Sequence, residues 1–179
     1  MEELNIYNIY DEAQRKLAEK APGYRIRNAT SDDIDKVIGI NMVALPEHYP
    51  RSFYEDLLEN WGKAFYVAES PDGEIAGYIM NRVEIKPGFF KLFLVRSGHV
   101  VSIAVLENHR KKGLGYALMA YAMKTMYEEY KCSETYLEVR VSNTPAITLY
   151  EKLGYRKIKV EKNYYLDGED AYVMARKLP

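Results

Sequence analysis

Between His99 and Tyr130 an apolar run passes through a short polar loop into three cations and two glycines, and then into a long periodic segment. The run is His99-Val100-Val101-Ser102-Ile103-Ala104-Val105, and the loop is Leu106-Glu107-Asn108-His109. The cation and glycine stretch is Arg110-Lys111-Lys112-Gly113-Leu114-Gly115. This order predicts strand, loop and helix. The first backbone N–H groups of a helix have no intrahelical partner, and glycines let that backbone approach a ligand closely. With cations beside them, such groups suit a phosphate. The glycines fit neither Gly-x-Gly-x-x-Gly nor a loop ending in Gly-Lys-Ser/Thr, so those two nucleotide patterns do not account for the stretch.

The 179 residues suffice for one domain with a sizeable core. A net charge of -1 argues against a general nucleic-acid or membrane-surface role, so any basic site is local. Cys132 is the single cysteine, which excludes an internal disulfide and a cysteine-rich zinc cluster and fits a reducing cytoplasm. His48, His99 and His109 do not pair at ligand spacing, and no metal is expected. The acidic first residues lack a basic-then-apolar leader pattern. No apolar run approaches the ~20 residues that span a bilayer. Seventeen tyrosines serve either as amphipathic packing or as the lining of a polar pocket.

Taken in order, residues 1–20 predict a helix carrying Ile6, Ile9, Tyr10, Ala13 and Leu17, stopped by Pro22-Gly23. Residues 1–23 are expected to be a helical extension, either a packing appendage or a mobile arm, ahead of a domain over 24–179. Residues 24–28 alternate as a strand. Thr30 or Ser31 caps a helix with Asp32 and Asp33 in its first turn. A stiff Leu-Pro-Glu-His-Tyr-Pro loop (45–50) separates it from a helix over 51–61. Strands over 64–69 and 75–84 flank the hairpin signal Pro71-Asp72-Gly73. Residues 86–98 are expected to form an irregular loop. The helix opening at Gly113 is expected to run about 18 residues, or roughly 27 Å. A strand over 135–141 leads to Thr144-Pro145 and a helix over 146–153 with Gly154 at its end. Strands over 155–161 and 171–177 close the chain. From residue 24 the order is β-α-α-β-β-β-α-β-α-β-β, an α/β mixed sheet with helices on both faces.

Arg110-Lys111-Lys112-Gly113-Leu114-Gly115 resembles the Arg/Gln-x-x-Gly-x-Gly/Ala signature of the GNAT acetyltransferase superfamily, between an apolar strand and a helix as it stands there. The stretches Tyr-Leu-Glu-Val-Arg-Val-Ser-Asn (136–143) and Ala-Ile-Thr-Leu-Tyr-Glu-Lys-Leu-Gly-Tyr (146–155) resemble the distal half of that family's acetyl-CoA site. Residues 45–50, 98–105 and Lys-Asn-Tyr-Tyr-Leu-Asp-Gly-Glu-Asp-Ala-Tyr (162–172) look like the protein N-terminal acetyltransferases, in particular the archaeal ones related to the NatA catalytic subunit. The resemblance covers residues 24–178 and leaves 1–23 outside. It implies the GNAT fold, with a mostly antiparallel central sheet, acetyl-CoA as cosubstrate, and N-termini of proteins or nascent peptides as substrates. A ribosome or an auxiliary subunit is the further partner it implies.

By the same resemblance, Lys111, Lys112, Gly113, Leu114, Gly115 and Tyr116 offer backbone donors to the pyrophosphate, and Arg110 and Lys112 also offer charge. Backbone near Ile103, Ala104 and Val105 runs along the pantetheine arm, and Asn143 and Tyr150 also face the cofactor. Asn143 reads equally as a helix cap and Tyr150 as a buried aromatic. Leu45, Pro46, Glu47 and Tyr49 form one wall of a peptide groove, and Tyr164 and Tyr165 the other. Those tyrosines read alone as surface packing, and Glu47 as a solvated charge.

Acetyl transfer needs a neutral amine. An α-amino group with pKa about 8 has an appreciable neutral fraction at pH 7, whereas a lysine near 10.4 costs roughly 4–5 kcal/mol to neutralise. A weak base therefore suits N-terminal acetylation better than lysine acetylation. His99 and Glu138 match catalytic positions in the family and are expected to share the base role through ordered water, with substrate contact at both. Glu138 inside an apolar strand otherwise asks for a salt bridge, to Arg140 or a lysine. A Tyr150 phenol, with pKa ≈ 10, can protonate a departing thiolate. The expected reaction is direct attack in a ternary complex, on N-termini such as Ser, Ala and Met. Alternatives are a lysine or small-amine acetyltransferase and a non-catalytic acyl-CoA-binding subunit.

Overall fold

In the computed structural model, which describes residues 4–179, the apolar periodicities resolve into one seven-stranded sheet covered by helices on both faces. The elements are α1 (Ile6–Lys20), β1 (Arg25–Asn28), α2 (Ile34–Ala44), α3 (Arg51–Trp61), β2 (Tyr66–Glu69), β3 (Ile75–Pro87), β4 (Leu94–Val105), α4 (Leu114–Glu128), β5 (Glu134–Arg140), α5 (Thr144–Lys152), β6 (Arg156–Glu161) and β7 (Ala171–Lys177). The order across the sheet is β1-β2-β3-β4-β5-β7-β6. Every neighbouring pair is antiparallel except β4 and β5.

α4 is buried on most sides because Leu114, Ala117, Leu118, Met119, Ala122, Met123 and Met126 surround it with apolar surface. It packs with α1 and α5 on one face of the sheet. A side chain at Gly98 would strike Met126, so this glycine lets α4 close onto β4. α2 and α3 cover the other face, where Val37, Ile40, Tyr54 and Leu57 meet Tyr78 and Met80. α4 spans 15 residues, about 22 Å, shorter than its periodicity suggested.

α1 starts at Asn5, whose side chain accepts from the Tyr7 N–H at 2.8 Å. Its Ile6, Ile9, Ala13 and Leu17 recur at three- and four-residue spacing and are all buried with α4 in the main core. The first three residues of the helix expected over 1–20 lie outside the described residues.

The irregular loop expected over 86–98 is instead the far end of a long hairpin. Val83–Pro87 pair with Leu94–Gly98, leaving only 88–93 to turn. The missing signal is tertiary. The Phe89 N–H donates to the buried Glu134 carboxylate at 3.1 and 2.9 Å, and Phe89 and Phe90 pack against Tyr136 and Val173. Pro87 is tolerated because it ends the strand.

Two irregularities in β4 set up the site. Met80 pairs with Ser102 and Asn81 with Val100, so Val101 is an extra residue, a β-bulge. The bulge resets the in-out alternation, so that His99 and Ser102 both face the α2–α3 side. β4 and β5 pair only through Ser97–Glu134, Gly98–Thr135 and His99–Tyr136. Beyond His99 the two strands part, and the stretch of β4 leading to the cation loop has no strand on its β5 side.

Candidate active site

The alternation of three strands builds a polar row on the face that carries α2 and α3. β3 contributes Arg82 and Glu84, β4 contributes His99, and β5 contributes Tyr136, Glu138 and Arg140. At the point where β4 and β5 part, the His99 imidazole bridges two carboxylates. Its Nε2 lies 2.7 Å from Glu138 Oε2 and its Nδ1 lies 2.9 Å from Glu84 Oε2. The Tyr136 ring stacks on it with centroids 4.3 Å apart and 8° between planes. The Tyr136 hydroxyl donates to Glu84 Oε1, and Arg82 Nε donates to Glu84 Oε2 at 2.8 Å.

This environment favours the charged form of His99. Burial opposes the charged ring, but hydrogen bonds with Glu138 and Glu84 outweigh it and raise the pKa above 6.5. Each ring nitrogen faces one carboxylate, so the charged ring, donating to both, is the favoured form. Glu84 is held down at about 2 by His99 first, with Tyr136 and Arg82 adding to the effect against the pull of burial. Burial and the Glu84 carboxylate push the Tyr136 phenol upward, so it stays a donor.

Glu138 therefore pairs with His99 and not with Arg140, the salt-bridge partner that sequence alone left open. Arg140 reaches in the other direction. Its Nη2 donates to Glu47 Oε1 at 2.5 Å, and its Nη1 to Asp167 Oδ2 and Glu169 Oε1, each at 2.8 Å. Its guanidinium lies 4.1 Å over the Tyr165 ring. Glu47 is thus an ion-paired residue and not a solvated charge. One arginine ties the 45–50 loop to the loop between β6 and β7. Tyr49 lies inside this frame, with its hydroxyl 3.4 Å from the carbonyl of the bulged Val101 and its pKa pushed up to about 12 by burial. Tyr164 and Tyr165 meet edge to face at 4.9 Å, Tyr164 half exposed at the rim. Leu45 packs partly buried against the α2–α3 core, while Pro46 is exposed.

The opposite end of β4 carries the cation loop. Lys111 (φ 63) and Gly113 (φ 79) are both left-handed, a geometry that turns successive backbone N–H groups toward one side. The first internal bond of α4 runs from Ala117 N–H to Gly113 O, so Leu114, Gly115 and Tyr116 precede the helical ladder and their N–H groups have no intrahelical partner. A side chain at Gly115 would meet Leu149 of α5 at 3.4 Å, so the two helices come together there. Arg110 Nε donates to the Val105 carbonyl at 3.0 Å and its side chain is exposed. Ile103 and Val105 pack toward α4, and Ala104 toward α2 and α3. Asn143 caps α5, accepting from the Ala146 N–H at 3.3 Å. Tyr150 is buried, its pKa raised to about 12 by burial, and its hydroxyl has no hydrogen-bond partner among the described residues. The predicted residues fall into three groups: His99 with Glu138, the peptide-side loops, and the cation loop with α5.

Glu84, Tyr136 and Arg82 were not found from sequence. Alternation puts Arg82 and Glu84 on one strand face, but their pairing with His99 depends on the register between β3 and β4, which the Val101 bulge shifts. Cys132 is buried beside the start of β5, with its thiol raised to about 11 by burial, and takes no part in this geometry. No group of three or more His, Cys, Asp or Glu could hold a metal ion among the described residues. Nor is any helix among them long and apolar enough to cross a membrane.

Comparison with known proteins identifies the family. Residues 34–155 match the acetyltransferase (GNAT) family model. An N-alpha-acetyltransferase of Sulfurisphaera tokodaii is 54% identical over 165 residues, covering 90% of this chain and 97% of the relative. The NAA10 catalytic subunit of the N-terminal acetyltransferase A complex of Arabidopsis thaliana is 40% identical, with 86% and 77% covered. Among solved structures, Ard1 from Thermoplasma volcanium superposes with a TM-score of 0.75 at 29% identity, covering 88% of this chain and 99% of that one. Naa20 of Chaetomium thermophilum, in complex with a bisubstrate analogue, gives 0.76 at 28% identity, with 86% of each chain covered. The fold and its splayed strand pair, the cation loop at a helix start and these relatives converge: the chain belongs to the GNAT family and is an acetyl-CoA-dependent N-alpha-acetyltransferase.

Proposed function

We propose that the chain acetylates the α-amino group of protein N-termini beginning with residues such as Ser, Ala and Met, by direct attack within a ternary complex. The observation that carries this reading is the His99–Glu138 contact at the point where β4 and β5 part. About six strand residues, roughly 20 Å, separate it from the cation loop. The edge of β4 between them suits the peptide-like arm of coenzyme A, and the free N–H groups at Leu114 to Tyr116 suit its phosphates.

Glu138 accepts the proton that the substrate ammonium must lose, directly or through one water. His99, whose charged form its two carboxylate partners favour, orients Glu138; in that form both nitrogens donate and neither accepts a proton. This sharpens the shared base role toward Glu138. Tyr150, an unpartnered phenol that burial keeps protonated, gives its proton to the departing sulfur. The chain supplies no covalent nucleophile in this scheme, since Cys132 is buried and its thiol is held protonated. Glu47, Tyr49, Tyr164 and Tyr165, fixed through Arg140, line the entrance for the first residues of the peptide.

The α-amine is favoured over lysine because a carboxylate base suits an amine of pKa about 8 better than one near 10.4. The test is an assay with acetyl-CoA and peptides beginning Ser, Ala and Met, each also carrying an internal lysine, with the acetylated nitrogen located by mass spectrometry. The expected product carries acetate on the α-nitrogen, and the initial-rate lines intersect. Acetate on lysine, or parallel lines, would contradict this function.

A further inference from the structure

α1 lies outside the residues that make up the GNAT motifs, yet its last turns reach the cation loop. The Cβ of Lys16 is 3.7 Å from the position a Cβ would take on Gly113, so its stem rests against the glycine that opens α4. Its ammonium sits 4.0 Å over the ring of Tyr116, in the first turn of α4. The nearby Glu12 carboxylate bonds to Arg15 and feels the Lys16 charge at longer range, while Lys16 makes no direct ion pair among the described residues. A second contact comes from the segment after α1. The Tyr24 hydroxyl lies 2.6 Å from His109 Nδ1, in the turn just before Arg110, and the Lys112 ammonium lies 5.8 Å over the Tyr24 ring. Glu74 Oε2 holds the other ring nitrogen of His109 at 3.2 Å.

A half-buried lysine placed by a ring face, next to a row of free backbone N–H groups and the loop cations, is poised for an anion. We propose that Lys16 is a phosphate ligand for coenzyme A, so that the N-terminal helix completes the phosphate end of the cosubstrate site. The inference rests on the assignment of that end to residues 110–116. Lys16 adds a fourth cation to Arg110, Lys111 and Lys112, from a separate element. Tyr24 and His109 brace the loop from behind. Lys16 is a binding residue here, remote from the reacting carbonyl.

The test measures coenzyme A affinity of the full chain by calorimetry, with no peptide present. Lys16→Met keeps the stem on Gly113 and removes the charge, and Lys16→Arg restores it. The expected result is weakening by about tenfold or more in Lys16→Met, the size of a lost charge-assisted contact, with recovery in Lys16→Arg. Pantetheine, which lacks phosphate, should bind both variants and the parent chain equally. Dephospho-coenzyme A separates the sources: a penalty that vanishes assigns Lys16 to the 3′-phosphate, and one that persists assigns it to the pyrophosphate. Coenzyme A affinity in Lys16→Met within about twofold of the parent would overturn the proposal, as would an equal loss toward pantetheine. Because no peptide enters the measurement, failure to acetylate peptides would count against the assigned reaction and leave the role of Lys16 standing.

Discussion

Glu138 Oε2 and His99 Nε2 lie 2.7 Å apart, and the imidazole between them and Glu84 carries a raised pKa. In the proposed mechanism this relationship divides the labour in the site. A histidine donating from both nitrogens has no lone pair for an incoming proton, whereas a carboxylate bonded through one oxygen still has the other.

Glu84→Gln tests the charge on His99. Removing the anion at Nδ1 is expected to lower the His99 pKa, measured by the pH dependence of its ring proton resonances. The histidine contribution to stability is fully present below about pH 6.5 and fades as pH rises through the raised folded pKa. Glu84 acts oppositely: its contribution is present above about 4.5 and is lost as pH falls toward 2. Thermal melts of Glu84→Gln should therefore lose the acid-side dependence and flatten the neutral-side decline. An unchanged His99 titration would show that Glu84 does not hold the ring charged.

Tyr150→Phe keeps the buried ring and removes the only proton donor assigned to the sulfur. A fall in kcat of at least about 10²-fold is expected, with coenzyme A affinity unchanged. Stopped-flow rates of thiol release report the step. A variant that releases thiol at the parent rate would make Tyr150 a packing residue only.

Arg140→Met should act on peptide binding more than on chemistry. Its guanidinium holds Glu47, Asp167 and Glu169 together, so its loss frees both loops of the groove. The KM for peptide should rise about tenfold or more while the KM for acetyl-CoA stays constant, and Arg140→Lys should rescue only in part because a point charge cannot span the three carboxylates. Equal changes in both KM values would contradict this.

Ile9→Ala tests whether α1 belongs to the core. Ile9 is 2% exposed, and removing it should cost about 2–5 kcal/mol in chemical unfolding. A cost below about 0.5 kcal/mol is the behaviour of a surface site and would mark α1 as loosely attached.

Much of this was legible in the chain. The strand, cation loop and helix from His99 onward were visible because apolar periodicity, glycines and cations are local signals. The Thr144-Pro145 start of α5 and the 45–50 interruption between α2 and α3 were visible for the same reason. His99, Glu138 and Tyr150 were identified through a resemblance, and the structure brings His99 and Glu138 into contact. The long hairpin over 83–98 was hidden because its order depends on Glu134, about 45 residues away. Glu84 was hidden by the Val101 bulge, since a one-residue shift changes which side chain faces His99. Arg140 was seen only as a partner for Glu138, because which charges meet across loops is not encoded in spacing.

The most direct measurement is the steady-state rate of α-amine acetylation by Glu138→Gln, compared with the parent chain across pH 6–9. The glutamine keeps the shape and one hydrogen bond to His99 but cannot take a proton. With Glu138 as the base, kcat is predicted to be lower by about 10²–10⁴-fold at every pH, with coenzyme A affinity intact. A Glu138→Gln enzyme that turns over within about threefold of the parent would contradict the assignment of Glu138 as the base.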